Sequence, residues 1–286
     1  MIVLLNESYL PMDQARISPD DRGFLFGDGV YEVWMLQDGQ RVEDPAHWAR
    51  LNRSLAALKI TLPEHVNLAQ KLDHLVVENG LGKGLATLYL QVTRGVAARK
   101  HAFPHAISPT IYAFCKPFRR NELALREGAS AITVEDTRWS RCDIKSIALL
   151  PNVLANQMAQ EAGAAEALFV REGRVLEGSH SNLFVVRGNE IWTAPDGPYI
   201  LAGVTRNRVL ALIQENRLTV KLDTLTVEQL KGADEAFLTG TTTEITPLVH
   251  VDGLSLGLGQ PGPITRRLQR CFFAQSELSP PGFRDW

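Results

Sequence analysis

Lys145 and Glu177 are the two ionisable side chains in this sequence whose settings point most directly to chemistry. Lys145 follows Asp143 and Ile144 and opens the run S-I-A-L-L, a stretch suited to a buried strand. An amine deprived of hydration favours its neutral form, and only the neutral amine attacks a carbonyl, so this is the setting a Schiff-base lysine needs. The competing explanation is a lysine that snorkels from a strand end with its head in water. Glu177 closes a strand just ahead of Gly178, Ser179, His180, Ser181 and Asn182, where a carboxylate either serves a ligand or sits solvated beside a turn.

Other groups have spacings that suit anions. Arg50, in H-W-A-R-L-N-R-S, lies off the apolar stripe of its helix and is free to project elsewhere; a planar guanidinium can grip a phosphate with two parallel hydrogen bonds. Arg99 and His101 stand two apart in R-G-V-A-A-R-K-H-A-F-P, where no packing pattern explains them. Two such donors can converge on one carboxylate, although solvated loop charges are the commoner outcome. Gly203 precedes a helix whose first amides could form an anion site. Gly240 leads into Thr241, Thr242 and Thr243, whose hydroxyls bond either their own turn or a ligand. Tyr31 lies in an alternating strand behind the glycines of G-D-G, as a packing residue or one facing a site.

The elements that must position these residues follow from periodicity. Strands are expected at Ile2 to Leu5, Tyr9 to Pro11, Val30 to Leu36, Leu85 to Thr93 and Thr110 to Cys115, with helices over Ala46 to Lys59 and about Glu64 to Asn79. Beyond a polar link, Gly128 to Glu135 starts a second set. Pro151 stops the lysine strand, Asn152 caps a helix from Val153 to Glu161, and Gly163 ends it. Strands Ala167 to Arg171, Arg174 to Glu177, Asn182 to Arg187 and Glu190 to Thr193 follow, then a helix from Val204 to Asn216 and a strand from Glu235 to Thr239. The tail from Ser276 to Trp286 reads as irregular.

Together D-I-K-S, L-L-x-N-x-L-A, E-G-S-x-S-N-x-F and G-V-T-R, with D-R-G-F-L-F-G-D-G-V-Y-E-V nearer the start, closely resemble the class IV aminotransferases, pyridoxal-phosphate enzymes of fold type IV. The resemblance implies a mixed α/β (α+β) fold with a small N-terminal α/β domain, residues 1–115, a linker, 116–121, and a larger β-rich pseudo-barrel domain, 122–286, that binds pyridoxal 5'-phosphate. It makes Lys145 the Schiff-base lysine and Glu177 the carboxylate facing the pyridine nitrogen. It assigns Arg50, Val204, Thr205, Thr241 and Thr242 to the phosphate, Leu201 to the face of the ring, and Tyr31 to the cofactor phosphate and substrate carboxylate. R-x-H followed by F-P resembles the D-amino acid transaminase branch, where Arg99 and His101 would bind the α-carboxylate.

The implied reaction is transamination between a D-amino acid, such as D-alanine or D-glutamate, and a 2-oxo acid, such as 2-oxoglutarate or pyruvate, in a homodimer. A branched-chain L-amino acid aminotransferase, an (R)-amine transaminase, an aminodeoxychorismate lyase and a silent phosphate-ligand binding protein are the alternatives. His180 stands where close relatives often have a serine, and Lys100 adds a charge between Arg99 and His101 that would favour acidic substrates.

The totals agree with an enzyme of small molecules. The 286 residues include 30 basic and 32 acidic side chains, a net charge of -2 that argues against nucleic acid read by bulk charge. No apolar run reaches membrane-spanning length and the amino terminus lacks a basic leader, so a cytoplasmic protein without membrane partners is expected. Cys115, Cys142 and Cys271 lack metal-ligand spacing and read as reduced thiols, so no metal is expected.

Overall fold

Alternation in the first part of the chain builds a six-stranded antiparallel sheet, seen here in a computed structural model that describes residues 1–63, 66–276 and 279–286. Its elements are β1 (Ile2–Leu5), β2 (Ser8–Pro11), α1 (Arg22–Phe26), β3 (Gly29–Gln37), β4 (Gln40–Arg41), α2 (Asp44–Leu58), α3 (Leu68–Glu78), β5 (Leu85–Thr93) and β6 (Thr110–Pro117). The strand order is β2-β1-β6-β5-β3-β4. β3 and β5 pair over nine residues, from Gly29 opposite Thr93 to Gln37 opposite Leu85. Trp34, Leu36, Leu88 and Leu90 pack against Leu51 and Leu55 of α2 and Leu72 and Leu75 of α3 to make one apolar core.

The second part comprises α4 (Glu122–Glu127), β7 (Ala129–Glu135), α5 (Leu150–Glu161), β8 (Glu166–Arg171), β9 (Arg174–Gly178), β10 (Asn182–Arg187), β11 (Glu190–Thr193), α6 (Val204–Glu215), β12 (Thr219–Leu222), β13 (Leu225–Thr226), α7 (Val227–Lys231), β14 (Glu235–Gly240), β15 (Glu244–Val251), β16 (Leu254–Ser255) and α8 (Pro263–Phe273). The sheet runs β12-β11-β10-β14-β15-β7-β8-β9-β13, and Asn182 of β10 also pairs with Glu177 of β9. That pairing closes β10-β14-β15-β7-β8-β9 on itself, which makes the expected pseudo-barrel. Two compact units result, residues 1–119 with 144–149, and residues 120–143 with 150–286. The lysine segment therefore belongs to the unit of the first sheet.

Several expectations change in detail. Residues 144–149 form no strand: Ser146 makes an isolated bridge to Val30, and the Ser146 and Leu149 amides turn back to the Ile144 and Ile147 carbonyls at 2.7 and 2.9 Å. Pro151 does not precede its helix but lies in the first turn of α5, where its missing N–H costs nothing. Asp21 accepts from the Gly23 amide and caps α1, a single turn ahead of β3 in a stretch to which periodicity assigns no element. The expected helix start at Glu64 lies outside the described residues; α3 is capped by Asn67, whose side chain accepts from the Gln70 amide. β12, β15 and α8 have no counterpart in the sequence reading.

Candidate active site

In the first unit, Lys145 is fixed through its backbone. The Tyr31 amide donates to the Lys145 carbonyl at 3.0 Å, the Ile147 amide to the Gly29 carbonyl at 3.1 Å, and the Lys145 amide to Ser54 Oγ at 3.2 Å. Gly29 allows this approach, since a Cβ there would lie 2.7 Å from the Val92 carbonyl and 3.0 Å from Ile147. Ile144 and Ser146 are buried, and Lys145 between them is half-buried. Its Nζ lies 4.2 Å from the centre of the Tyr31 ring, which in turn stacks on Tyr89 at 5.7 Å.

Arg50 corrects the sequence reading: it is buried, on the inner face of α2 with His47, Leu51 and Ser54. The apolar stripe could not show this, because the inner face is shared with polar groups that answer a buried carboxylate. Arg50 Nε donates to Glu32 Oε2 at 3.0 Å and Nη2 to Oε1 at 2.5 Å, while His47 Nδ1 lies 3.0 Å from Oε1. Burial alone would raise the Glu32 carboxyl, but the charge of Arg50, the hydrogen bonds from His47 and Arg50 and the charge of Lys145 outweigh it and hold it at about 2. Burial keeps His47 below its ordinary value.

Arg99, Lys100 and His101 are exposed. The Arg99 guanidinium lies 5.2 Å from the centre of the Phe26 ring, and the His101 ring lies 5.7 Å from the same ring. Arg22, beneath them, is buried.

In the second unit, Glu177 is buried at the end of β9 with three donors around it. Arg138 Nη1 donates to Oε1 at 2.5 Å, Asn182 Nδ2 to Oε2 at 2.9 Å, and the Leu201 amide to Oε2 at 3.0 Å. Burial pushes the carboxyl up to about 7, against the charge and hydrogen bond of Arg138 and the Leu201 amide. Arg138 is itself gripped by Asp136, Nε to Oδ1 at 2.8 Å, and lies 4.0 Å over the Phe169 ring.

Asn182 links Glu177 to the turn that enters α6. Its Nδ2 also donates to the Leu201 carbonyl at 2.9 Å, and a Cβ on Gly203 would lie 2.1 Å from its Oδ1. Gly203 therefore cannot carry a side chain, and no side chain caps α6, so the buried Val204 and Thr205 stand at an uncapped helix start. Leu201 is half-buried. Thr241 and Thr242 lie in the turn joining β14 to β15, Thr241 half-buried and Thr242 exposed.

His180 bonds elsewhere than its position beside Glu177 suggests. Its Nδ1 lies 3.2 Å from Glu166 Oε2, and Glu166 also accepts from the hydroxyls of Ser179 and Ser181 at 2.5 and 2.6 Å. Sequence reasoning missed Glu166, Arg138, Glu32, His47 and Arg22. It quoted Asn182 without giving it a role. The signal of Glu166, Glu32, His47 and Arg22 is a polar residue inside a strand or an early helix turn, meaningful only once its distant partner is known; Arg138, in the bend after β7, carries no such mark.

With this geometry in place, comparison gives the family. The model of class IV aminotransferases ("Amino-transferase class IV") matches residues 29–251, and the chain belongs to that family. It is an aminotransferase of the fold type that uses pyridoxal phosphate. A D-alanine aminotransferase of Bacillus licheniformis is 43% identical over 94% of this chain and 95% of its own. One from Staphylococcus haemolyticus is 40% identical over 94% of this chain and 96% of its own. The branched-chain amino acid aminotransferase of Escherichia coli has the same fold, with a TM-score of 0.89 at 23% identity, over 98% of this chain and 96% of that one.

The residues present fit the family's cofactor. A carboxylate has about four acceptor positions, and Glu177 meets three donors, which leaves it room for a protonated ring nitrogen. The uncapped start of α6, kept bare by Gly203, suits a phosphate. Among the described residues no group of three or more His, Cys, Asp or Glu could hold a metal, and no helix is long and apolar enough to cross a membrane.

Proposed function

We propose that this enzyme transfers the amino group of a D-amino acid, D-alanine or D-glutamate among them, to a 2-oxo acid such as 2-oxoglutarate or pyruvate. The observation that carries the D-selectivity is the exposed Arg99 and His101 pair gathered on one ring, Phe26. The 43% identity to a D-alanine aminotransferase supports the same substrate class.

When bound, pyridoxal phosphate supplies a ring that takes up negative charge from the substrate's α-carbon. Lys145 provides the amine that anchors the cofactor and then carries the α-proton. Glu177, with its carboxyl near neutrality, holds a proton at the ring nitrogen, and Arg138 and Asn182 keep it from turning away. Arg50, the amides of Val204 and Thr205 and the hydroxyls of Thr205, Thr241 and Thr242 take the phosphate. Leu201 would pack against the face of the ring. Tyr31, next to Lys145, contributes to the phosphate and the substrate carboxylate. Arg99 and His101 bind that carboxylate by charge-assisted hydrogen bonds and so set which face of the amino acid meets the ring.

The same reading includes a homodimer in the cytoplasm, without nucleic-acid or membrane partners, and a division at the link 116–121 into 1–115 and 122–286, amended by the return of residues 144–149 to the first unit. The visible spectrum of the purified protein, before and after D-alanine or L-alanine, tests it. Loss of the yellow band with D-alanine alone is expected. Loss with the L form alone would reverse the stereochemistry, and no band after adding pyridoxal phosphate would remove Lys145 from its role.

A further inference from the structure

The loop that carries Arg99 and His101 rests on a single helical turn. α1 places Arg22 and Phe26 four residues apart, hence on one face. Arg22 Nη1 donates to the Lys100 carbonyl at 2.6 Å and Nη2 reaches the His101 carbonyl at 3.4 Å. Its Nε bonds Asp28 Oδ2 at 2.8 Å. Asp28 is also held by Arg94, Nε to Oδ2 at 2.8 Å and Nη2 to Oδ1 at 2.9 Å. Arg94 in turn binds the Leu58 and Lys59 carbonyls at 2.7 and 3.1 Å, which ties the assembly to the end of α2, the helix of Arg50.

Phe26 completes the arrangement. Its ring receives the guanidinium of Arg22 at 4.8 Å, that of Arg99 at 5.2 Å and the ring of His101 at 5.7 Å. α1 does not need the Arg22 guanidinium for its own placement. Asp21 caps it and bonds Thr93 and Thr110 at 3.0 and 2.6 Å, and the Arg22 amide donates to the Gly95 carbonyl at 2.9 Å. The donors of Arg22 go instead to Asp28 and to the loop.

We propose that Arg22 and Phe26 are positioning residues for the substrate's α-carboxylate. Arg22 fixes the backbone of Lys100 and His101, and Phe26 fixes the directions of the Arg99 and His101 side chains, so that the ordering of two long side chains is complete before substrate arrives. This rests on the reading of Arg99 and His101 as carboxylate binders.

The test is steady-state kinetics with D-alanine on Arg22→Lys, Phe26→Leu and Arg99→Ala, and on Phe26→Leu combined with Arg99→Ala, with melting midpoints measured alongside. Freeing one or two immobilised side chains should raise KM about tenfold while kcat stays within about twofold, and Phe26→Leu should add little once Arg99 is gone. A fall in kcat with KM unchanged, or full additivity in the double variant, overturns the proposal. Should Arg22→Lys fail to fold, Phe26→Leu decides the matter, because leucine keeps an apolar group at a half-buried site. If Arg99→Ala alone leaves KM unchanged, the carboxylate reading has failed and the proposal falls with it. If Arg99→Ala raises KM and neither Arg22→Lys nor Phe26→Leu does, the proposal alone is overturned.

Discussion

Arg138 Nη1 lies 2.5 Å from Glu177 Oε1, and both side chains are buried. The pair is anchored at its far end by Asp136, whose carboxylate is fully buried. Removing the cation would leave a carboxylate with two neutral donors in an apolar setting, where breaking a buried pair costs about 3–5 kcal/mol. Arg138→Gln should therefore unfold at markedly lower urea, and the pH at which Glu177 releases its proton should rise. Urea titration of apo-protein checks the first expectation. The position of the acid limb of kcat/KM checks the second, and an unmoved limb would mean that Glu177 is not the group titrating there.

Glu32 makes the opposite acid response. Its carboxyl is held at about 2 against an ordinary 4.5, so folding is favoured by its ionised form. That contribution is complete above pH 4.5 and is lost as the pH falls toward 2, with an upper size of about 3 kcal/mol. Urea unfolding at pH 7 and pH 3 should show a steep loss in the natural protein. Glu32→Gln should be less stable at pH 7, because Arg50 loses its partner, yet flatter between the two pH values. Equal slopes would contradict the ion pair.

Gly203 offers a local test of the start of α6. A methyl there would meet Asn182 Oδ1 at 2.1 Å, so Gly203→Ala must displace the side chain that joins Glu177 to this turn. Pyridoxal phosphate should bind about tenfold more weakly, as followed by spectral titration, which corresponds to about 1.4 kcal/mol. Unchanged affinity would remove the turn from the phosphate site.

The three thiols should separate cleanly. Burial pushes Cys115 and Cys142 each up to about 11, and the thiolate is the reactive form. A thiol-specific chromophore at pH 8 should label only the half-buried Cys271 in native protein within minutes, and all three in urea. Rapid native labelling of two or three would contradict the burial of β6 or of the Trp139–Cys142 turn.

How much was legible in sequence depends on the reach of each signal. β5, Leu85–Thr93, has the bounds that alternation gives, and β10, Asn182–Arg187, those of a run that ends at the Gly188 and Asn189 turn, because both signals are local. Lys145 and Glu177 stand out through their immediate neighbours. The motif points Arg50 to phosphate but cannot show its burial: the helical stripe counts apolar residues, and the group that draws Arg50 inward is Glu32, on another element. Arg138 was lost for the same reason, its partner Glu177 lying far along the chain. α8 carries its own helical stripe, Ile264, Leu268, Cys271 and Phe272, with Arg266, Arg267 and Arg270 between, and so was open to the same local reasoning.

The return of residues 144–149 to the first sheet orders events during synthesis. A nascent chain carries Arg50, Glu32 and the whole of that sheet well before Lys145 leaves the ribosome, and domains tend to fold as they emerge. The first unit must therefore assemble with the edge of β3 beside Val30 still open, and wait for Ser146 to reach it across an excursion into the second unit. Lys145 is thus among the last residues delivered to its own surroundings, and a chain terminated before it would carry Arg50 and Glu32 without the segment that bridges to Val30.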